Sequence, residues 1–368
     1  MMCSRGARLW LNLLSVEGVT VPTWIRLRDR ISLEEMSGML RKRTGRRELG
    51  ALIGKRISGI NREFIEEQLS ADKSGMCRII AISDGEYPAL LKELKYPPPL
   101  LFCKGNIKSL GKRKVCIVGS RSCSRRGRLT AKSLARSISA SGVVVVSGLA
   151  RGIDTSAHEG ALEREGGTVA VLGCGIDIAY PRENSSLAID ISRNGCVITE
   201  FPVGTPPLKY NFPRRNRILS GISKGVVVVE AGIKSGAMLT AGWAAEQGRE
   251  VLAVPGPVEC RGSRGPHKLI KEGAVLVESA EDILGVLMPL FDLRGEGNRS
   301  EDENVSLTSN ERRVLDILEL EPRHVDELAL ESNIKIVSLL PLLLRLEMKG
   351  LCRSFGAGLY AAKEIRSI

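Results

Sequence analysis

No apolar run in the chain approaches the roughly 18–20 residues that a bilayer-spanning helix requires, so no membrane span is expected. Arg5 and Arg8 precede Leu9-Trp10-Leu11, but Asn12 breaks that run and no small-residue cleavage site follows. A cleaved leader is therefore not expected either. Histidine is scarce: the three residues, at 158, 267 and 324, are too scattered to suggest a metal centre. The nine cysteines contain no CxxC spacing, and several lie inside apolar runs, as Cys116 does in Val115-Cys116-Ile117-Val118. They read as reduced core thiols of a cytoplasmic protein, not as zinc ligands or a disulfide framework. Gly-Lys occurs at 54–55 and 111–112, each time followed by Arg and each time without the upstream glycine of a Walker A loop, which disfavours an ATP-driven motor. There is no GxGxxG: Gly173-Cys174-Gly175 opens like one, but Ile178 stands in the third glycine position, against dinucleotide binding. No cofactor, metal or catalytic set is expected.

What the chain does have is positive charge, unevenly placed. Its 368 residues carry 54 Lys+Arg against 42 Asp+Glu, a formal +12, with an otherwise globular composition. From Leu94 to Ile153 there is no Asp or Glu while thirteen Lys or Arg occur, nine of them between Lys112 and Arg136. A second acid-free stretch, Phe201 to Val229, holds Lys209, Arg214, Arg215, Arg217 and Lys224. Residues 304–368, by contrast, balance nine cations against nine acids, so the footprint for a polyanionic partner lies in the middle of the chain.

Periodicity divides the sequence into 1–75, 76–290, a polar linker 291–305, and 306–368. The first part is helical, with a Gly18-Val19-Thr20 turn faintly like a helix-hairpin-helix module, though a helical packing unit is the plainer reading. In the second, β-branched runs recur before Gly and a helical stretch: Val115–Val118, Val143–Val146, Val169–Leu172, Cys196–Thr199, Val226–Val229, Val251–Val254 and Ala274–Val277. Such continuous Val runs suit strands buried on both faces, hence an α/β, doubly wound, mostly parallel Rossmann-like sheet of about seven strands, roughly 110–285. The last part reads as three helices and a hairpin, the winged-helix order, with Pro341 kinking the third helix or lying near its start.

Ligands of such sheets bind beyond the carboxyl ends of the strands. There the turns Gly119-Ser120-Arg121, Gly148-Leu149-Ala150-Arg151-Gly152 and Gly173-Cys174-Gly175 offer glycine for close approach and N–H groups for anions. Asp154 and His158 share a helix face, better read as a helix-start acid and a packed imidazole than as an acid–base pair. The densest segment, Lys209-Tyr210-Asn211-Phe212-Pro213-Arg214-Arg215-Asn216-Arg217, interleaves cations with aromatics in a chain only 4% aromatic. Single-stranded nucleic acid wants both, cations for phosphates and rings for bases. Arg215 and Arg217 could instead pair with Glu200 or Glu230 and brace a loop.

The runs Ser-Gly-Leu-Ala-Arg-Gly-Ile-Asp-Thr-Ser-Ala-His (147–158), Tyr-Pro-Arg-Glu-Asn (180–184), Phe-Pro-Arg-Arg-Asn-Arg-Ile (212–218) and Val-Val-Val-Val-Glu-Ala-Gly (226–232) resemble the DNA-processing protein A family, DprA or Smf. Asp84-Gly85-Glu86-Tyr87-Pro88 and Pro97-Pro98-Pro99-Leu100 resemble its lead-in to the sheet. Departures are local: Arg126 replaces a usual Tyr, His267 a usual Asn, and Arg182 a frequent Lys. The resemblance implies a non-enzymatic, homodimeric protein that binds single-stranded DNA and loads RecA recombinase in natural transformation and recombination, with no membrane or small-molecule substrate. Carried onto this sequence, its DNA pocket would use Arg121, Arg182, Lys209 and Phe212. The full DNA-facing set expected is Gly119, Ser120, Arg121, Gly148, Arg151, Gly152, Arg182, Lys209, Phe212, Arg214, Arg215, Asn216 and Arg217. The alternative is a nucleotide-processing enzyme like the nucleoside-monophosphate phosphoribohydrolases, because Glu230-Ala231-Gly232 and Ser235-Gly236 stand at a similar strand end. The carboxylate those enzymes carry on the following helix is missing, since the next acid is Glu246, about three helical turns on.

Overall fold

The valine runs form the centre of a nine-stranded sheet. In chain order its strands are β1 (Arg78–Ala81), β2 (Leu100–Gly105), β3 (Lys114–Val118), β4 (Val144–Ser147), β5 (Thr168–Val171), β6 (Cys196–Thr199), β7 (Gly225–Val228), β8 (Glu250–Ala253) and β9 (Val275–Leu276). The computed structural model describes residues 3–28, 30–292, 309–334, 336–348, 351–354 and 358–362, in two compact units, Met1–Asn298 and Arg299–Ile368.

The sheet order is β1-β2-β6-β5-β4-β3-β7-β8-β9. The seven strands from β6 to β9 are parallel, and each coincides with one of the seven runs. Every residue of β3 to β7 is buried, because helices cover both faces and leave no polar side for the strands to show. Alternation splits the side chains between two layers. Cys116, Val118, Val144 and Val146 pack with Ile218, Leu219 and Ala241, whereas Val115, Ile117, Val143 and Val145 pack with Leu134, Ala135 and Ile138. Two strands were not expected: β1 and β2 run antiparallel at the β6 edge. Arg78-Ile79-Ile80-Ala81 is short, and Pro97-Pro98-Pro99 ahead of β2 reads as loop.

From β3 the chain steps outward through β4, β5 and β6, then returns through the helix Asn211–Gly221 to place β7 on the other side of β3. That reversal creates a topological switch point between β3 and β7 and opens a crevice at their carboxyl ends.

The N-terminal residues form five helices, Arg5–Leu14, Val21–Arg28, Leu33–Arg41, Arg43–Ile53 and Arg62–Lys73. Trp10 and Trp24 are fully enclosed and share a core with Ile79, Ala81 and Phe102 of the antiparallel strands. The helices are thus built onto the β1–β2 edge rather than folded apart from the sheet.

The second unit has helices Ser309–Leu320, Val325–Ser332 and Ile336–Met348 and strands β10 (Arg323–His324), β11 (Cys352–Ser354) and β12 (Leu359–Ala362), in the order β10-β12-β11. The hairpin forms as expected, and β10 adds a third strand too short to register as a pattern. Pro341 is the sixth residue of its helix, five residues past the start. The linker beyond Asp292, Lys335, Lys349, Gly350 and the turn at 355–357 lie outside the described residues. Among the described residues no helix is long and apolar enough to cross a membrane. All nine cysteines are free thiols, seven of them buried.

Candidate nucleic-acid interface

A cleft of about 700 Å³ lies at the switch point. Its walls are the turn after β3, residues 119–122; Ala150 and Asp154 after β4; Tyr180; Lys209, Phe212, Pro213, Arg215 and Asn216; and the start of the helix Gly236–Glu246. Residues 88 positions apart, Arg121 and Lys209, line the same opening because both follow strand ends on one edge of the sheet.

Phe212 is the hub. It is half-buried on the first turn of the helix Asn211–Gly221, where the loop reading of this segment proves wrong. Pro213 concealed the helix, yet a proline in a first turn removes no hydrogen bond, since those N–H groups have no intrahelical acceptor. The Arg121 guanidinium sits 5.6 Å from the Phe212 ring centroid, within cation–π range. The Tyr180 ring lies 5.4 Å away on a plane tilted by 39°. Gly173 makes room: a Cβ there would fall 2.8 Å from Phe212 Cδ1. Arg121, Arg182 and Lys209 are all exposed, and none meets a carboxylate at ion-pair distance among the described residues. Arg182 stands on the turn Arg182–Asn184, two residues beyond Tyr180, and is not part of the cleft wall. Tyr210 is 69% exposed and also outside the wall.

The remaining arginines of the dense segment bond to the protein's own groups. Arg215 is buried, donating through Nη1 to the carbonyls of Gly148, at 2.8 Å, and Val171, and through Nε to Asn216 Oδ1 at 3.2 Å. A Cβ at Gly148 would collide with that guanidinium and with Asp154, so this glycine admits protein, not ligand. Arg217 donates to Glu200 at 2.5 Å and to the Tyr96 carbonyl at 2.7 Å. Arg214 reaches the same carboxylate at 3.0 Å, with its guanidinium 5.2 Å from the Phe201 ring. Of the two braces expected, Arg217 with Glu200 forms; Arg215 instead serves two carbonyls and Asn216. Arg215 and Arg217 are thus held by the protein's own groups, and Arg215 also lines the cleft. Arg151 pairs with Glu183 at the surface.

The strand-end turns also differ from expectation. Glu230 accepts from Ser124 N at 2.8 Å and from Ser124 Oγ at 2.5 Å, and so closes the start of the helix Arg125–Ala140. Asp154 accepts from Gly148 N at 3.1 Å and Ala150 N at 3.4 Å. The turn 148–152, read as an anion seat, therefore already holds the protein's own carboxylate, and the helix start beyond the turn 119–121 holds another. Gly152, at φ 81°, packs with its Cα against the Ser120 carbonyl, where a Cβ would lie 2.4 Å from the oxygen. Gly119 likewise clears Ile153. Burial pushes the Asp154 carboxyl up to about 6, partly opposed by Arg215, and the same burial lowers the Arg215 guanidinium. His158 is fully enclosed, 2.7 Å from Thr168 Oγ1, and burial lowers it to about 3, so it stays neutral as a packing group.

One anion seat was missed. The helix Gly236–Glu246 has no side-chain cap, its start lines the cleft, and the Ser235 hydroxyl is buried with no hydrogen-bond partner among the described residues. Asn216 Nδ2 holds this helix start through the Gly236 carbonyl at 3.2 Å. A phosphate oxygen placed there would meet free backbone N–H groups, the positive end of the helix dipole and the Ser235 hydroxyl. The Ser235-Gly236-Ala237 run after β7 was the available signal, and Tyr180, two residues before Arg182, the other. Among the described residues no group of His, Cys, Asp and Glu could hold a metal ion.

The description "DNA recombination-mediator protein A" fits residues 78–288, and the DprA winged helix domain fits residues 299–358. Protein Smf of Escherichia coli K12 is 39% identical over 278 residues, 75% of this chain and 74% of that protein. The solved structure of DNA processing protein A from Streptococcus pneumoniae superposes with a TM-score of 0.65 at 34% identity, covering 77% of this chain and 98% of the other. That of the Helicobacter pylori protein, solved to describe its single-stranded DNA binding mode, gives 0.53 at 28% identity over 58% and 98%.

Proposed function

The chain belongs to the DNA recombination-mediator protein A family, DprA or Smf, and from that membership we propose that it binds single-stranded DNA in the switch-point cleft, without sequence preference, and loads RecA recombinase onto it. The observation that carries the reading is the pairing of Phe212 and Tyr180 with Arg121 and Lys209, two cations unmatched by any carboxylate among the described residues. Rings accept bases of any identity, and the cations hold phosphates. The Helicobacter pylori relative, described for its single-stranded DNA binding, supports the same ligand here. A duplex keeps its bases stacked inside and cannot offer them to Phe212.

The reading contains no covalent step. Glu230 closes a helix and Asp154 neutralises Arg215, so both carboxylates nearest the cleft already have structural work. Transformation and recombination in the cytoplasm, and a homodimer formed through the sheet unit, belong to the same proposal.

Titration of labelled single strands and blunt duplexes across a salt series tests the binding. Single strands are expected to bind more tightly, with affinity falling as salt rises. Equal affinity for both at physiological salt would overturn the reading. RecA loading is tested by RecA's DNA-dependent ATP turnover on single strands, which the chain should raise.

A further inference from the structure

The acid-free stretch Leu94–Ile153 supplies Arg121 to the cleft, but a cluster of its cations lies at the other edge of the sheet. Lys108 is on the turn Ile107–Leu110 after β2, and Lys112, Arg113 and Lys114 lead into the amino end of β3, whose carboxyl end carries Arg121. A five-residue strand, about 17 Å long, separates the two groups. These four residues and Arg78 line a second cleft, of about 830 Å³. Its one acid, Glu86, is already paired with Arg78 at 2.5 Å.

Helix ends explain part of this charge. The crossover helices of a parallel sheet finish at this edge, and their carboxyl ends favour cations. Lys114 is accounted for locally: it is buried, and its ammonium donates to the carbonyls of Leu110 at 2.8 Å and Lys112 at 2.5 Å, at the end of the turn Ile107–Leu110. Lys108 and Lys112 are not. Both are exposed, and neither side chain makes a hydrogen bond or ion pair among the described residues. Like charges converging on a concavity repel one another, and an entering anion relieves that repulsion. The cleft has no ring for bases, because Tyr87 is 3% exposed with its hydroxyl on the Pro98 carbonyl.

We propose that this cleft is a second phosphate-binding site, which holds phosphates but not bases: those of a long single strand whose first segment fills the switch-point cleft, or those of a free nucleotide. The DNA arm rests on the function proposed above; the nucleotide arm does not.

The test compares the full chain with Lys108→Glu/Lys112→Glu, after equal melting temperatures are verified. If the reversal lowers melting, Lys108→Gln/Lys112→Gln replaces it. Each protein is titrated with oligonucleotides of about 6 and about 40 nucleotides and with ATP. For a site that holds the strand, the short oligonucleotide should bind both proteins within twofold. The long one should bind the variant at least tenfold more weakly, with a salt slope lower by about 1.4, twice the single-strand value per phosphate. For a nucleotide site, ATP should bind the parent and not the variant. Unchanged long-strand affinity and slope, together with no variant-sensitive ATP binding, overturn the proposal. If the parent binds no single strand of either length, the proposed function fails, and the ATP titration alone decides the cleft.

Discussion

In the stretch Phe201–Val229 three arginines are tied to the protein's own groups: Arg214 and Arg217 to Glu200, and Arg215 to two carbonyls and Asn216. In the stretch Leu94–Ile153, Arg121, Lys108 and Lys112 meet no carboxylate among the described residues. Both are acid-free in sequence, yet their cations meet different fates in the fold. Glu200 immediately precedes one stretch and Asp154 immediately follows the other, and folding carries both onto the arginines of the helix Asn211–Gly221. An acid that borders a basic run, as Glu200 does, can thus be the one that neutralises its arginines, and charge counted along the chain overstates what a ligand meets.

The most severe test of that contrast is Arg215→Met. It leaves the buried Gly148 and Val171 carbonyls without this donor, and should cost about 2–5 kcal/mol. Denaturant unfolding measures the loss; the surviving folded fraction should keep its DNA affinity. A stable variant that fails to bind would return Arg215 to the DNA-facing set.

Asp154 should leave a signature in pH. Its folded-state value of about 6 lies above the unfolded value of about 3.9. Between these the folded protein holds the extra proton, so this group's contribution to stability falls as pH rises from about 4 to about 6. Asp154→Asn removes that dependence. Measured against the variant, the parent should lose about 3 kcal/mol across the window. A flat difference would mean that Arg215 holds the carboxylate charged throughout.

Phe212→Ala should weaken single-strand binding by about 1–3 kcal/mol through lost stacking, while leaving the salt slope nearly unchanged. The ring also braces Arg121 and Tyr180, so thermal melting is needed beside the titration. A sharp drop in melting temperature with normal binding by the folded fraction would make Phe212 an anchor. Arg121→Ala and Lys209→Ala, from the unpaired class, should each lower the salt slope by about 0.7, one phosphate contact on a single strand. No change in slope for either would break the comparison from its other side.

The seven parallel strands were legible because burial on both faces leaves runs dominated by Val, with Ile, Cys, Ala and Leu, along them. The convergence of Arg121, Lys209 and Phe212 was legible from the same pattern, since strand ends of one sense share an edge. What was not legible depended on partners distant in sequence. Glu230 capping a helix 106 residues away and Arg215 threading between Gly148 and Val171 have no local signal. The helix start at Gly236 was visible as Ser-Gly-Ala, but only the uncapped backbone and the buried Ser235 hydroxyl give it a role.

Arg214 is the residue on which the contrast is weakest, and its predicted effect is the smallest. Its side chain is 46% exposed, whereas the carboxylate it meets on Glu200 is 1% exposed and also holds Arg217. Removing Arg214 leaves Glu200 with its better-buried partner, so Arg214→Ala should cost less than about 1 kcal/mol of stability. Its guanidinium lies over Phe201, not Phe212, and Arg214 is not part of the cleft wall. The salt slope should therefore stay within error of the parent. A decrease as large as that of Arg121→Ala would show that Arg214 leaves Glu200 for a phosphate when DNA binds. The division between tied and untied cations would then belong to the free protein alone.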